Sequence, residues 1–145
     1  MAFLKAGMLK LIVFLRPAAR YLLIIWLLTI ITLSSLPNIP TLKIHTSKAE
    51  FRLDYIMHFC EYGFLTFLTL LSFAGNEFKI KFIKVILITS SLMFFAILDE
   101  YHQKLIPGRS YSIRYILSNL SGVLVLTLVT LMIFSLIKNK FKTKD

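Results

Sequence analysis

The sequence predicts an all-α polytopic membrane protein in which four transmembrane helices form one bundle with both termini in the cytoplasm. Hydrophobic residues make up 57% of the 145 residues and the mean hydropathy is +0.77, more than a soluble domain of this size could cover. The apolar residues fall into four runs of about 20, the length needed to cross a bilayer. Basic residues lie between these runs and at the termini, as they do around transmembrane helices.

Each run is predicted as a helix, because every backbone amide in lipid must bond within its own segment. The first begins at Pro17, since proline suits the first turn of a helix. The third stops before Pro107 and Gly108. Residues 1–16 are predicted to be a lead-in or an interfacial helix, and residues 1–145 to form a single membrane domain. The four spans are predicted at 17–36, 53–73, 81–105 and 115–137.

The distribution of lysine and arginine predicts the orientation. Eleven of the 17 basic residues lie in the two tails, in the loop between the second and third spans, and at the starts of the first and third spans. The positive-inside rule then places both termini in the cytoplasm. The net charge of +10 does not indicate a nucleic-acid partner, because these charges flank membrane spans.

Polar residues of three spans fall at one level, near the extracytoplasmic surface in this orientation. At 100° per residue each set occupies one face of its helix. Independent helices would have no reason to share a polar level, so we expect these faces to line a common cavity. The sets are Asp54, His58, Glu61 and Tyr62; Asp99, Glu100 and Gln103; and Tyr115, Asn119 and Gly122.

Several of these residues are candidates for chemistry. Asp99 and Glu100 fall in the last turns of a helix, where the helix dipole disfavours negative charge, so we expect Arg109 to pair with one of them. An unpaired Glu61 two turns into its span would cost several kcal/mol, and His58 could share its proton. The candidate catalytic residues are therefore His58, Glu61, Asp99 and Glu100.

The same groups could instead bind a ligand or form a purely structural polar network. Asp54, Tyr62, Gln103, Arg109 and Asn119 are binding candidates, although Asp54 alone could be solvated and Asn119 alone could serve helix packing. The acids and His58 lack a second close histidine or cysteine. We therefore expect no metal and no cofactor.

Two stretches resemble the signatures of VanZ-like membrane proteins. "LDYIMHFCEYGFL" (53–65) resembles the first, and "LDEYHQKLIPGRSYSIRYILSNLSG" (98–122) resembles the second, with D-E-x-x-Q, P-G-R, a serine and N-x-x-G in register. The resemblance adds Ser112 to the binding candidates. Two positions depart from the pattern: Tyr55 stands where a lysine is usual, and Tyr115 stands where an aspartate is expected.

The resemblance implies a multi-pass protein of the bacterial cytoplasmic membrane, linked to low-level resistance to teicoplanin-type glycopeptides. Three classes of function stay open. The first is a binder of an outer-leaflet lipid headgroup or lipid-linked cell-wall precursor. The second is a membrane-embedded hydrolase or transferase acting on such a headgroup, and the third is a transporter or channel subunit, for which four spans would require oligomerisation.

Overall fold

The computed structural model describes residues 2–39, 43–46, 49–75 and 77–142. Within them, four helical segments are long and apolar enough to cross a membrane. The all-α, multi-pass fold class is therefore confirmed. The elements in chain order are α1 (Ala2–Leu15), a 3₁₀ turn (Arg16–Ala18), α2 (Ala19–Ser35), β1 (Lys43–Thr46), β2 (Ala49–Arg52), α3 (Asp54–Phe73), α4 (Phe82–Gln103) and α5 (Ile113–Lys142).

Helix boundaries differ from the predicted spans by a few residues. Pro17 lies in the 3₁₀ turn that joins α1 to α2, so the segment before the first span is helical. The third helix ends at Gln103, two residues before the predicted Leu105. α5 begins at Ile113 because the Ser112 hydroxyl accepts the Arg114 N–H at 3.2 Å, a typical N-cap bond.

A short antiparallel hairpin connects α2 to α3, with Lys43 opposite Arg52. The apolar pattern of the sequence gives no sign of it, since its strands have only four residues each. Beside it, the Asn38 N–H donates to the Pro107 carbonyl at 3.2 Å. Gly108 follows with φ 74°, a conformation that favours glycine. The α2–α3 and α4–α5 loops are therefore tied together at one end of the bundle.

The α3–α5 pair makes the most extensive helix contact of the bundle. A Cβ atom on Gly122 would press on the Phe59 carbonyl and lie 3.1 Å from the Gly63 nitrogen. One on Gly63 would lie 2.9 Å from Leu126 Cδ2. Small residues allow helix backbones to approach in this way where no hydrophobic effect drives them together.

Two clusters of buried apolar residues fill the bundle at different depths. One surrounds Ile30, Leu65 and Val123 in the middle. The other joins Ile12 of α1 to Phe134 near the end of α5. Since four crossings return the chain to its starting face, α1 and the end of α5 share one end of the bundle, which we call the termini end. We call the opposite end the cleft end, because the cleft described in the next subsection opens there.

We expect Gly122→Ala to lower the stability of the folded protein by about 1–3 kcal/mol, the usual cost of overpacking. The atoms it would meet belong to the α3 backbone and cannot rotate away. Thermal unfolding in detergent measures the effect. Gly7→Ala is the matched control, because nothing lies within 4 Å of its added methyl group, and alanine is favoured over glycine in a helix. Equal melting temperatures for the two variants would contradict a tight α3–α5 contact.

Candidate functional site

A cleft of about 170 Å³ opens at the cleft end, where α3 begins and α4 ends. Side chains from α2, α3 and α4 and from the flanking loops line it, together with one from the start of α5. Its apolar rim consists of Leu33, Ile39 and Met57, and all its other lining residues are polar. These are Asp54, His58, Glu61, Gln103, Arg109, Ser110 and Tyr115.

A chain of hydrogen bonds runs from the buried side of α3 to the cleft. The Tyr62 hydroxyl donates to Asp99 Oδ2 at 2.8 Å. Gln103 Nε2 donates to the same oxygen at 3.0 Å and to Ser34 Oγ at 3.3 Å. Arg109 Nη2 then donates to Gln103 Oε1 at 2.7 Å. Because Gln103 both donates and accepts, it connects a buried carboxylate to the guanidinium in the cleft wall.

The prediction that Arg109 pairs directly with Asp99 or Glu100 is wrong. Gln103 lies one turn beyond Asp99 on the same face of α4, and its side chain accepts the hydrogen bond from the Arg109 guanidinium. Glu100 Oε1 accepts the Ser112 N–H at 3.3 Å. Its Oε2 atom is buried and meets no hydrogen-bonding group of the described residues. Glu100 and Ser112 therefore join α4 to the start of α5 behind the cleft.

His58 is held in one orientation by two contacts with α5. Its Nδ1 atom lies 3.1 Å from Asn119 Oδ1. Its ring stacks on Tyr115 at 4.5 Å between centroids and 24° between planes. With the amide oxygen as acceptor, Nδ1 carries the hydrogen and Nε2 keeps its lone pair. Asn119 thus does more than pack α5 against α3, because it fixes an imidazole that lines the cleft.

The two remaining acids of the cleft lie on the α3 side. Asp54 Oδ2 accepts the Tyr115 hydroxyl at 3.0 Å. Glu61 is half-buried and lines the cleft. Its backbone carbonyl accepts the Trp26 indole N–H at 3.0 Å, which ties this turn of α3 to α2. The cleft thus combines an imidazole, a guanidinium and two carboxylates at one membrane face.

The structure separates the predicted site residues into two groups. Asp54, His58, Glu61, Gln103 and Arg109 line the cleft. The others lie behind it and hold the lining residues in place, and they are Tyr62, Asp99, Glu100, Ser112 and Asn119. No group of three or more histidine, cysteine, aspartate or glutamate side chains suited to a metal ion occurs among the described residues.

Sequence reasoning missed Ser34 as a contributor to the site, and it placed Tyr115 on a polar face without assigning it a contact. Ser34 contributes a hydroxyl to Gln103; its place at the end of the first span, level with the other polar residues, was the available signal. Tyr115 appears in the sequence as the loss of a carboxylate. In the fold its hydroxyl reaches Asp54 and its ring supports His58.

No family model, curated protein or solved structure matches this chain. The resemblance to VanZ-like proteins stays a prediction carried by the two quoted stretches.

We expect Gln103→Met to destabilise the protein by about 2–4 kcal/mol, since Asp99 and Arg109 each lose a charged hydrogen bond. Methionine keeps the length of the side chain, so packing changes little. Thermal unfolding in detergent measures the loss, with His102→Gln at the exposed neighbouring position as the control. A melting temperature equal to that of the control would mean that the hydrogen-bond chain contributes nothing to stability.

Proposed function

We propose that this protein is a VanZ-like envelope protein whose cleft binds the polar headgroup of an outer-leaflet lipid or lipid-linked cell-wall precursor. The observation that carries the proposal is a cleft of charged side chains within the apolar bundle. Charged groups inside a membrane domain are costly and commonly mark a ligand site. Binding at this place is a route by which the protein would reduce the action of teicoplanin-type glycopeptides.

Arg109 indicates which acidic group the headgroup carries. Of its five N–H donors, one on Nη2 bonds to Gln103. The guanidinium lines the cleft, and such a planar fork is suited to bidentate contact with phosphate or carboxylate. Because Gln103 orients it from behind, Arg109 presents its donors at little further loss of side-chain freedom.

The two acids of the cleft indicate that the headgroup also carries a hydrogen-bond donor. Asp54 and Glu61 share the cleft with Arg109 and offer carboxyl oxygens as acceptors, which a ligand that carried phosphate alone would not use. A headgroup with a phosphate and an amine or hydroxyl donor satisfies both sides. The volume of about 170 Å³ is below the usual range of roughly 300–1,000 Å³ for small-molecule pockets. The cleft therefore accepts one small polar group, and a larger precursor headgroup would extend outside.

The apolar rim fits a ligand with acyl chains. Leu33 is 44% exposed and Met57 is 56% exposed, and both lie beside the charged lining. An acyl chain placed against them would remain in the hydrocarbon layer while its headgroup occupied the cleft. The excess of basic residues at the termini end supports an extracytoplasmic position for the cleft.

Native mass spectrometry of the detergent-purified protein tests the proposal by identifying the phosphate-bearing lipids it retains. Arg109→Ala should lower their retention at least about tenfold, the equivalent of roughly 1.4 kcal/mol. Arg109→Lys keeps the charge but loses the planar fork, so it should also bind less. Arg114→Ala, at an exposed position nearby, is the control and should retain the lipids.

Teicoplanin susceptibility should follow the same order when all variants accumulate equally in the membrane. Full retention and full resistance in Arg109→Ala would overturn the role of Arg109, and the same result in Arg109→Lys alone would overturn the role of its planar fork. A wild-type protein that retains no phosphate-bearing lipid would overturn the proposed function itself.

A membrane-embedded hydrolase or transferase is the second candidate, and the fixed imidazole favours it. His58 is oriented through Nδ1 and by its stack on Tyr115, while Nε2 is the nitrogen left to act as a base. Glu61 lies almost one turn further along the same helix and lines the same cleft. A base and a carboxyl group beside a bound headgroup are what proton transfer requires.

Lipid extracts of cells with and without the protein separate the two candidates. An enzyme should produce a new or depleted headgroup species. His58→Asn keeps a donor near the Nδ1 position for Asn119 but removes Nε2, so it should abolish that species while lipid retention persists. An unchanged lipid profile in cells with abundant wild-type protein would exclude the enzyme and leave the binder.

A further inference from the structure

A second, larger groove of about 1260 Å³ lies at the termini end, far from the cleft along α3. We call it the basic groove. Three separate parts of the chain contribute cations to it: Arg16 and Arg20 at the start of the first span, Lys79 in the α3–α4 loop, and Lys138 near the end of α5. Four of the charges that suggested the orientation of the protein therefore converge in space.

Arg16 is built into the wall of the basic groove. Its Nη2 atom donates to the Ala74 carbonyl at 3.2 Å. Its guanidinium lies over the Phe78 ring at 5.4 Å from the centroid, a cation–π distance. These contacts fix one positive charge in the groove wall, and Arg20 lies about one turn later, at the start of α2.

Among the described residues that line the basic groove, the one acid is already neutralised. Glu77 forms an ion pair with Lys79. The hydrogen bond and charge of Lys79 hold the pKa of Glu77 below its ordinary value, with a smaller contribution from Lys138. Glu77 is therefore ionised at neutral pH and balances Lys79, and Arg20 and Lys138 add positive charge to the groove beyond this pair.

The rest of the groove wall is largely apolar. Val13, Ile24 and Leu71 line it beside the cations. Tyr21, which is 72% exposed, adds an aromatic ring of the kind enriched where membrane meets water. A ligand that fits this wall has a negatively charged group and hydrocarbon directly attached to it.

We propose that the basic groove binds the phosphate of an anionic phospholipid from the leaflet at the termini end, with its acyl chains against Val13, Ile24 and Leu71. The positive-inside rule explains an excess of cations at this face. It does not explain their convergence on one groove with an apolar wall. Lys81 and Lys84 show the difference, because they are exposed at the same end and do not line the groove. The proposal is independent of the function of the cleft.

The test uses the full-length protein in nanodiscs of phosphatidylcholine with a minor fraction of phosphatidylglycerol. Native mass spectrometry after extraction counts the phosphatidylglycerol molecules that remain bound. We expect Arg20→Ala/Lys138→Ala to reduce bound phosphatidylglycerol at least fivefold. Lys81→Ala/Lys84→Ala removes the same charge from the same end and should bind as the wild type does.

Equal losses in the two double variants would overturn the proposal and leave nonspecific attraction to an anionic surface. So would wild-type protein that enriches phosphatidylglycerol no more than phosphatidylcholine. Arg20→Lys/Lys138→Arg keeps both charges and should bind phosphatidylglycerol as the wild type does, and failure of this pair to bind would overturn recognition by charge in the groove. In an Arg109→Ala background, which removes the proposed phosphate contact of the cleft, the fivefold difference between the two double variants should persist, which separates this site from the cleft.

Discussion

The close approach of α3 and α5 at Gly122 is the contact on which the rest of the structure depends. Where the two backbones nearly touch, side chains one and two turns away can bridge the helices. Asn119 then reaches His58, and Tyr115 reaches Asp54. A hydrogen bond weakens steeply beyond its normal distance. A wider separation of the two helices would therefore disconnect one whole wall of the cleft.

Lipid imposes a second constraint, because polar groups inside a bilayer must find partners in the protein. Hydroxyl groups of the spans largely obey it: those of Thr66 and Thr69 donate to carbonyls one turn earlier. Glu100 Oε2 and Asn119 Nδ2 do not, since both are buried and meet no hydrogen-bonding group of the described residues. Each such group costs roughly 1–3 kcal/mol. These two buried groups therefore destabilise the cleft end, and the burial of the apolar clusters offsets that cost.

Most of the fold could be predicted from sequence, but only part of the site geometry could. Span length and hydropathy located the four helices to within a few residues, because lipid leaves helices few alternatives. Helical spacing also placed the polar faces of α3, α4 and α5 at one level. It could not predict that Arg109 meets Gln103 instead of an acid. That contact depends on the turn at Gly108, and loop geometry leaves no periodic pattern in a sequence.

Tyr115 illustrates the same limit from the other direction. By residue type it replaces a carboxylate and weakens the case for chemistry. In the fold its hydroxyl donates a hydrogen bond to Asp54, so a polar group remains at that place. Its ring also stacks on the His58 imidazole and supports it. A substitution inside a packed site is judged by what its atoms reach, which depends on neighbours far apart in the chain.

The backbone bond from Asn38 to Pro107 has a consequence for how the cleft is approached. It joins the two loops that contribute Ile39, Arg109 and Ser110 to the cleft lining, and so restrains that side of the cleft. A lipid that entered between Leu33 and Met57, on the apolar rim, would leave that bond intact. Confinement to one leaflet turns the search into two-dimensional diffusion and raises the effective concentration of the ligand. Modest affinity for a headgroup would then be sufficient to keep the cleft occupied.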